Sequence, residues 1–208
     1  MAAAIPTRAY VWGRYVVVLA LSLFFAIELL LAILLLVTFE HAAIGGADYP
    51  PAQVGSVLAV WAALVVPTTI FACSLSFAIG TLLFRRTALV KLAIALAWFV
   101  WISSLPAFVR GNPDVPQWFL RWDPTYVGLA HTGLYDIYDH AFYQSVIPLE
   151  RSGHAVSQAQ LLGIFHQLVN VLPDSGSWLP PHLVWAAGAI CLVGVASFAF
   201  KRFQHAGG

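Results

Sequence analysis

Charge is what this sequence has least of. Only 9% of its 208 residues are Asp, Glu, Lys or Arg, while 61% are hydrophobic. A soluble domain carries roughly 25% charge. With so few polar groups the chain cannot cover a water-facing surface, and most of that surface must be solvated by lipid. Cysteine is nearly absent too: Cys73 and Cys191 both lie in apolar runs, where no disulfide framework is expected, and read as reduced packing residues. No Gly-rich loop ends in a phosphate-binding Lys, which excludes ATP binding through a P-loop of its own. There is no haem-attachment Cys-x-x-Cys-His, no pair of intramembrane histidines and no arrangement of a nucleophile beside a base. An enzyme is therefore not expected, and neither is a cofactor. The formal net charge of +1 carries no argument for a nucleic-acid partner.

Long apolar runs take the place of these features. Residues 15–39, 54–84, 88–109 and 182–200 each approach or exceed the roughly 20 residues a spanning helix needs. The second run is long enough to require tilt, a kink at Pro67 or a first turn lying in the interface. The first exceeds the about 7–15 residues of a signal-peptide core and reads as a retained anchor. Arg8, Arg14, Arg85, Arg86, Lys91, Lys201 and Arg202 fall on one side of these spans with no acid among them. Arg110, Arg121 and Arg151 share the other side with all the acids except Glu28. The positive-inside rule then places both termini in the cytoplasm, as an even number of spans requires.

The expected fold is all-α and polytopic: four transmembrane helices, with a helical extracytoplasmic segment between the third and fourth. It divides into a three-span region (1–109), the outer segment (110–181), and the fourth span with a cytoplasmic tail (182–208). The outer segment is rich in Trp, Tyr, Phe and Leu and is not linker-like. Asp123-Pro124 has the form of an N-cap followed by proline, opening a helix through TYVGLAHTGLYDIYDHAFYQ. SQAQ, residues 157–160, has the form of a capping box, followed by an apolar stripe at Leu161, Phe165, Leu168 and Leu172. PDSGSWLPP should break the chain before the fourth span. Trp118, Trp122 and Trp178 are expected as anchors at headgroup level.

Few residues invite a chemical reading. Asp136 and His140 share a helix face and could supply two zinc ligands, but no third ligand stands at a fixed local spacing, so ordinary polar residues on a wet helix are the preferred reading. His182, after Pro-Pro, reads as an interfacial polar group. The hydroxyls of Ser103, Ser104, Thr68 and Thr69 are expected to bond within or between helices. Glu28 is the conspicuous residue, because a carboxylate at mid-span costs roughly 2.5–3.5 kcal/mol on insertion scales. It is expected to face protein. Its partner would be a carbonyl freed by Pro67, Thr68 or Thr69, or else a transport pathway or a cation of another subunit.

Four stretches carry a family resemblance. IPTRAYVWGRY, LVVPTTIFACSLSFAIGTLLFRRTALVKL, RWDPTYVGLA and SWLPPHLVWAAGAICLVGVASFAFKRF resemble successive parts of the C-terminal region of type-2 ABC exporter permeases, and the likeness runs over nearly the whole chain. The resemblance implies a permease subunit of a bacterial cytoplasmic membrane, oligomeric and driven by an ATP-binding subunit in trans, with Arg85 and Arg86 near an acidic surface of that partner. Such permeases usually have six spans, and this chain matches only the last four. The missing part would include a coupling helix that contacts the ATPase. The chain would then be half of a split permease, a shortened one, or a non-transporting accessory subunit of a larger respiratory or photosynthetic complex.

Overall fold

A chain in hydrocarbon has no water to satisfy its N–H and C=O groups, so each apolar segment must close its own hydrogen bonds. The computed structural model describes residues 6–39, 43, 53–83, 87–111, 115–129, 135–151, 157–168 and 175–200. Among the described residues every regular element is helical. Four helical segments are long and apolar enough to cross a membrane: Thr7–Phe39, Val54–Leu82, Ala88–Phe108 and Leu179–Ala199.

The first is α1, Thr7–Phe39, 33 residues without a proline. At 1.5 Å per residue it is about 50 Å long, against a hydrocarbon core of about 30 Å. Its ends therefore extend beyond the core, and Arg8 and Arg14 lie at one of them. The second span is composite. It runs as α2 (Val54–Val60), a π-helical turn (Trp61–Val65) and α3 (Val66–Leu82). Pro67 accounts for the π turn, because it has no N–H for the carbonyl of Ala63 and its ring crowds that carbonyl. Widening the preceding turn relieves the crowding. The third span lies in α4, Thr87–Gly111, which absorbs Pro106 without a break.

The outer segment contains α5 (Gln117–Arg121), α6 (Val127–Leu129), α7 (Tyr135–Arg151) and α8 (Gln158–Leu168). The long helix expected after Asp123 does not start there. Tyr126 sits in the left-handed region at φ 61°, which turns the chain, and α7 begins only at Tyr135 and continues past Gln144 to Arg151. The capping box is present in full. The Ser157 N–H donates to Gln160 Oε1 at 2.9 Å, and the Gln160 N–H donates to Ser157 Oγ at 3.3 Å. In the stripe that follows, Leu161 is half-buried. Leu172 and the side chains of Phe165 and Leu168 lie outside the described residues.

The last helix, α9, spans Ser175–Ala199. It starts ahead of Pro180-Pro181, where a break was expected. Only the carbonyls of Gly176 and Ser177 lose their helical partners to these prolines, and both lie beyond the apolar run.

The longest interface joins α3 to α9, with α1 packed against both. Small residues allow that approach: Ala186, Ala189, Val193, Ala196 and Ser197 of α9 are buried, as are Ser74 and Ala78 of α3. Tyr15 of α1 closes the cluster. Its hydroxyl meets Ser74 Oγ at 2.7 Å, a buried polar tie between α1 and α3. Elsewhere hydroxyls bond back to their own helix, as Ser22 does to Val18 O, Ser104 to Trp101 O and Ser197 to Gly194 O. Both thiols are free. Cys73 is half-buried, but Cys191 is exposed rather than packed, because it lies off the small-residue seam of α9.

Candidate functional site

The densest polar constellation lies where the chain turns between α5 and α6, in the sequence WDPTY. Asp123 is buried. Its Oδ1 accepts from Trp101 Nε1 at 3.1 Å, the Thr125 N–H at 3.0 Å and the Thr125 hydroxyl at 2.7 Å. Its Oδ2 accepts from the Gly128 N–H at 3.0 Å and also faces the Thr125 hydroxyl at 2.9 Å. The contact with the N–H two residues on is the Asx geometry that aspartate favours in turns. Gly128 suits this turn because a Cβ there would come within 3.1 Å of Leu120 and 3.4 Å of Asp123 Oδ2.

The turn's outward-pointing groups bind three spans. His182 of α9 is buried, and its Nε2 lies 2.7 Å from the Asp123 carbonyl oxygen. A carbonyl only accepts, so Nε2 carries the proton. The His182 ring stacks on Tyr126 with centroids 3.4 Å apart and planes 10° from parallel. The Tyr126 hydroxyl donates to Ala63 O at 2.7 Å. That is the carbonyl for which Pro67 has no N–H. Burial pushes the Tyr126 phenol well above its ordinary pKa, so the hydroxyl remains a donor. Thr68 Oγ1 lies 3.4 Å from Pro124 O, and Trp185 Nε1 donates to Trp122 O at 2.8 Å.

Chemically this is a clamp. Both oxygens of Asp123 already face donors, which leaves no ready base. The arrangement instead fixes the ends of the second, third and fourth spans against one turn. Asp123 was legible as a capping residue, but its reach to Trp101 and its link to His182 were not. His182, expected at an interface, is inside the protein because the Asp123 carbonyl and the Tyr126 ring cover it.

The partners expected for Glu28 within the second span are also corrected. The carbonyl freed by Pro67 is taken by Tyr126, and Thr68 points to Pro124. Glu28 is exposed and makes no hydrogen bond or ion pair among the described residues. The reason lies in the helix wheel of α1. Ala26 and Leu30 face the protein, and Glu28 is two residues from each, about 200° around the helix. Its own face carries Leu21, Phe24, Phe25, Leu31 and Leu35, all exposed. Close by, Trp61 Nε1 reaches across from the π turn to Ala26 O at 2.9 Å, which fixes the orientation of α1.

Of the remaining residues singled out from the sequence, Trp118 and Trp122 are exposed. Trp178 lies in the first turn of α9, and Asp136 and His140 lie in α7, with side chains outside the described residues. Arg85 and Arg86 lie outside them altogether. Among the described residues, no three His, Cys, Asp or Glu side chains gather in a group that could hold a metal.

The fold defines the class: an all-α polytopic membrane protein. Comparison with protein families, curated proteins and solved structures gives no match.

Proposed function

We propose that this chain is a membrane subunit that works in assembly with another membrane protein. The observation that carries the reading is Glu28, an intramembrane carboxylate on the uncovered face of α1. Left to lipid, it would cost roughly 2.5–3.5 kcal/mol on insertion scales. A partner helix that presents a cation or a hydrogen-bond donor offsets that cost and gives the apolar face around it something to pack against. The resemblance to type-2 ABC exporters supports a specific form of the reading: a permease subunit in a bacterial cytoplasmic membrane, both termini inside, driven by an ATPase in trans. The broad uncovered surfaces of α1 and α4 favour a second form, an accessory subunit packed sideways in a larger respiratory or photosynthetic complex. Extraction into native lipid discs, followed by identification of what co-purifies, tests both. An ATP-binding subunit is the expected outcome for the permease. A cofactor-bearing complex selects the accessory reading, and recovery of the chain alone rejects assembly.

A further inference from the structure

Two apolar grooves flank α3 at the end of the bundle where the basic residues gather. One, of about 660 Å3, lies between α1 and α3 and is lined by Arg14, Val18 and Phe77 among others. The other, of about 480 Å3, lies between α3 and α4 and is lined by Ile94, Trp98 and Ile102 among others. Both grooves share Ala72, Ser76 and Lys91. Two small residues of α3 thus separate the grooves, and one ammonium group borders both.

We infer that this pair of grooves binds a two-chain anionic phospholipid, with one acyl chain in each groove and the phosphate between Lys91 and Arg14. The dimensions fit one leaflet. Lys91 to Ser103 along α4 covers about 18 Å and Arg14 to Ser22 along α1 about 12 Å, while half of the hydrocarbon core is about 15 Å. The charges fit as well. Lys91 makes no hydrogen bond or ion pair among the described residues. Among the described residues, Arg14 makes polar contact only with a neutral group, Tyr10, whose hydroxyl lies 3.4 Å away and whose ring lies beneath the guanidinium. Among the described residues no acid lines either groove. Glu28 is fourteen residues beyond Arg14 on α1, about 21 Å away. Two uncompensated cations without an adjacent acid favour a net anionic headgroup over a zwitterionic one, whose amine would find no counter-charge. The apolar walls favour a lipid over free phosphate. None of this depends on whether the chain transports or only assembles.

The test is native mass spectrometry of the purified protein, with whatever partners it retains, titrated with phosphatidylglycerol or with phosphatidylcholine of the same chains. Phosphatidylglycerol should bind in preference. Lys91→Gln and Arg14→Gln should each weaken it about fivefold, the contribution expected of one basic residue near an anionic surface, and should weaken phosphatidylcholine less, so that the preference shrinks. Arg121→Gln, in the outer segment, should change neither. Ser76→Trp places a ring in both grooves and should abolish binding of either lipid while helix content is retained. Equal retention of the two lipids by the unmodified protein would overturn the inference. So would an undiminished preference in both Lys91→Gln and Arg14→Gln, or a single-chain phosphatidylglycerol that binds as tightly as the two-chain form.

Discussion

The rings of Tyr126 and His182 lie face to face, 3.4 Å between centroids, although 56 residues of chain separate them. Each ring also holds a backbone carbonyl: Tyr126 the one left open by Pro67, His182 that of Asp123. The pair therefore joins the irregular turn of the second span to the start of the fourth. The Asp123 carbonyl also accepts from the Tyr126 N–H at 3.3 Å, but the Ala63 carbonyl has lost its helical donor to Pro67, and an unsatisfied buried acceptor costs about 1–3 kcal/mol.

Tyr126→Phe keeps the stack and removes the hydroxyl. It should destabilise the purified protein by about 1–3 kcal/mol. Its pH dependence provides a second readout. The raised phenol pKa means that the folded state holds the proton more tightly than the unfolded one. The contribution is then complete below the ordinary phenol value and is lost as pH rises above it. Thermal unfolding compared between about pH 8 and about pH 11 should show the gap between the two proteins closing at the alkaline end. A constant gap would mean that burial does not hold the phenol protonated in the folded state.

Asp123→Asn tests the clamp from the other side. Oδ1 and Oδ2 both face donors, so an amide must turn its NH2 toward the Gly128 N–H or the Trp101 indole. Loss of one charge-assisted bond and the new donor clash should cost about 2–4 kcal/mol. The readout is faster hydrogen exchange through α5 and α6 and in the first turns of α9, with α1 little changed. Uniform loosening of the whole bundle would contradict a local clamp.

The spans were legible because lipid imposes a single rule, a run of apolar residues long enough to cross, and that rule needs no tertiary knowledge. The capping box at Ser157 was legible for the same reason, since its partners are three residues apart. Asp123 shows where this reading stops. Its local bonds to Thr125 and Gly128 follow from sequence spacing, while those linking it to Trp101 and His182 depend on helix packing that no local pattern encodes. Glu28 shows a different limit. Depth in the membrane could be counted along the chain, but the face it occupies depends on which side of α1 packs, and hydrophobic residues surround that helix on every side. The seam is set instead by Tyr15 meeting the small residues of α3 and by the Trp61 indole reaching the Ala26 carbonyl.

The distribution of charge makes a topology prediction that the helices alone do not decide. With both termini inside, cysteines placed at Asp48 and Ser152 should react with an impermeant maleimide added outside intact cells. Cysteines at Arg86 and Gln204 should react only after permeabilisation. Labelling of Arg86→Cys from outside would invert the arrangement, and would also move Lys91 and Arg14 to the outer leaflet.

Glu28 offers the sharpest test of assembly. The native carboxylate makes the isolated chain less suited to lipid, so Glu28→Leu should improve its insertion and its thermal stability when purified alone. The relief expected on insertion scales is about 2.5–3.5 kcal/mol. The same change should weaken assembly, because the partner's cation or donor would then face a leucine in a low-dielectric setting and be left unpaired. Glu28→Gln separates the two kinds of partner. An amide still accepts a hydrogen bond, so a neutral donor should retain the complex, whereas an ammonium or guanidinium should release it. A photo-crosslinker at Phe25 or Leu35, on either side of Glu28 along the exposed stripe, should capture that partner within the membrane in the native protein and lose it in Glu28→Leu. If Glu28→Leu raises stability while assembly is undisturbed, and both crosslinking positions capture only lipid, then the uncovered face of α1 is not an interface and the proposed role as an assembling subunit fails.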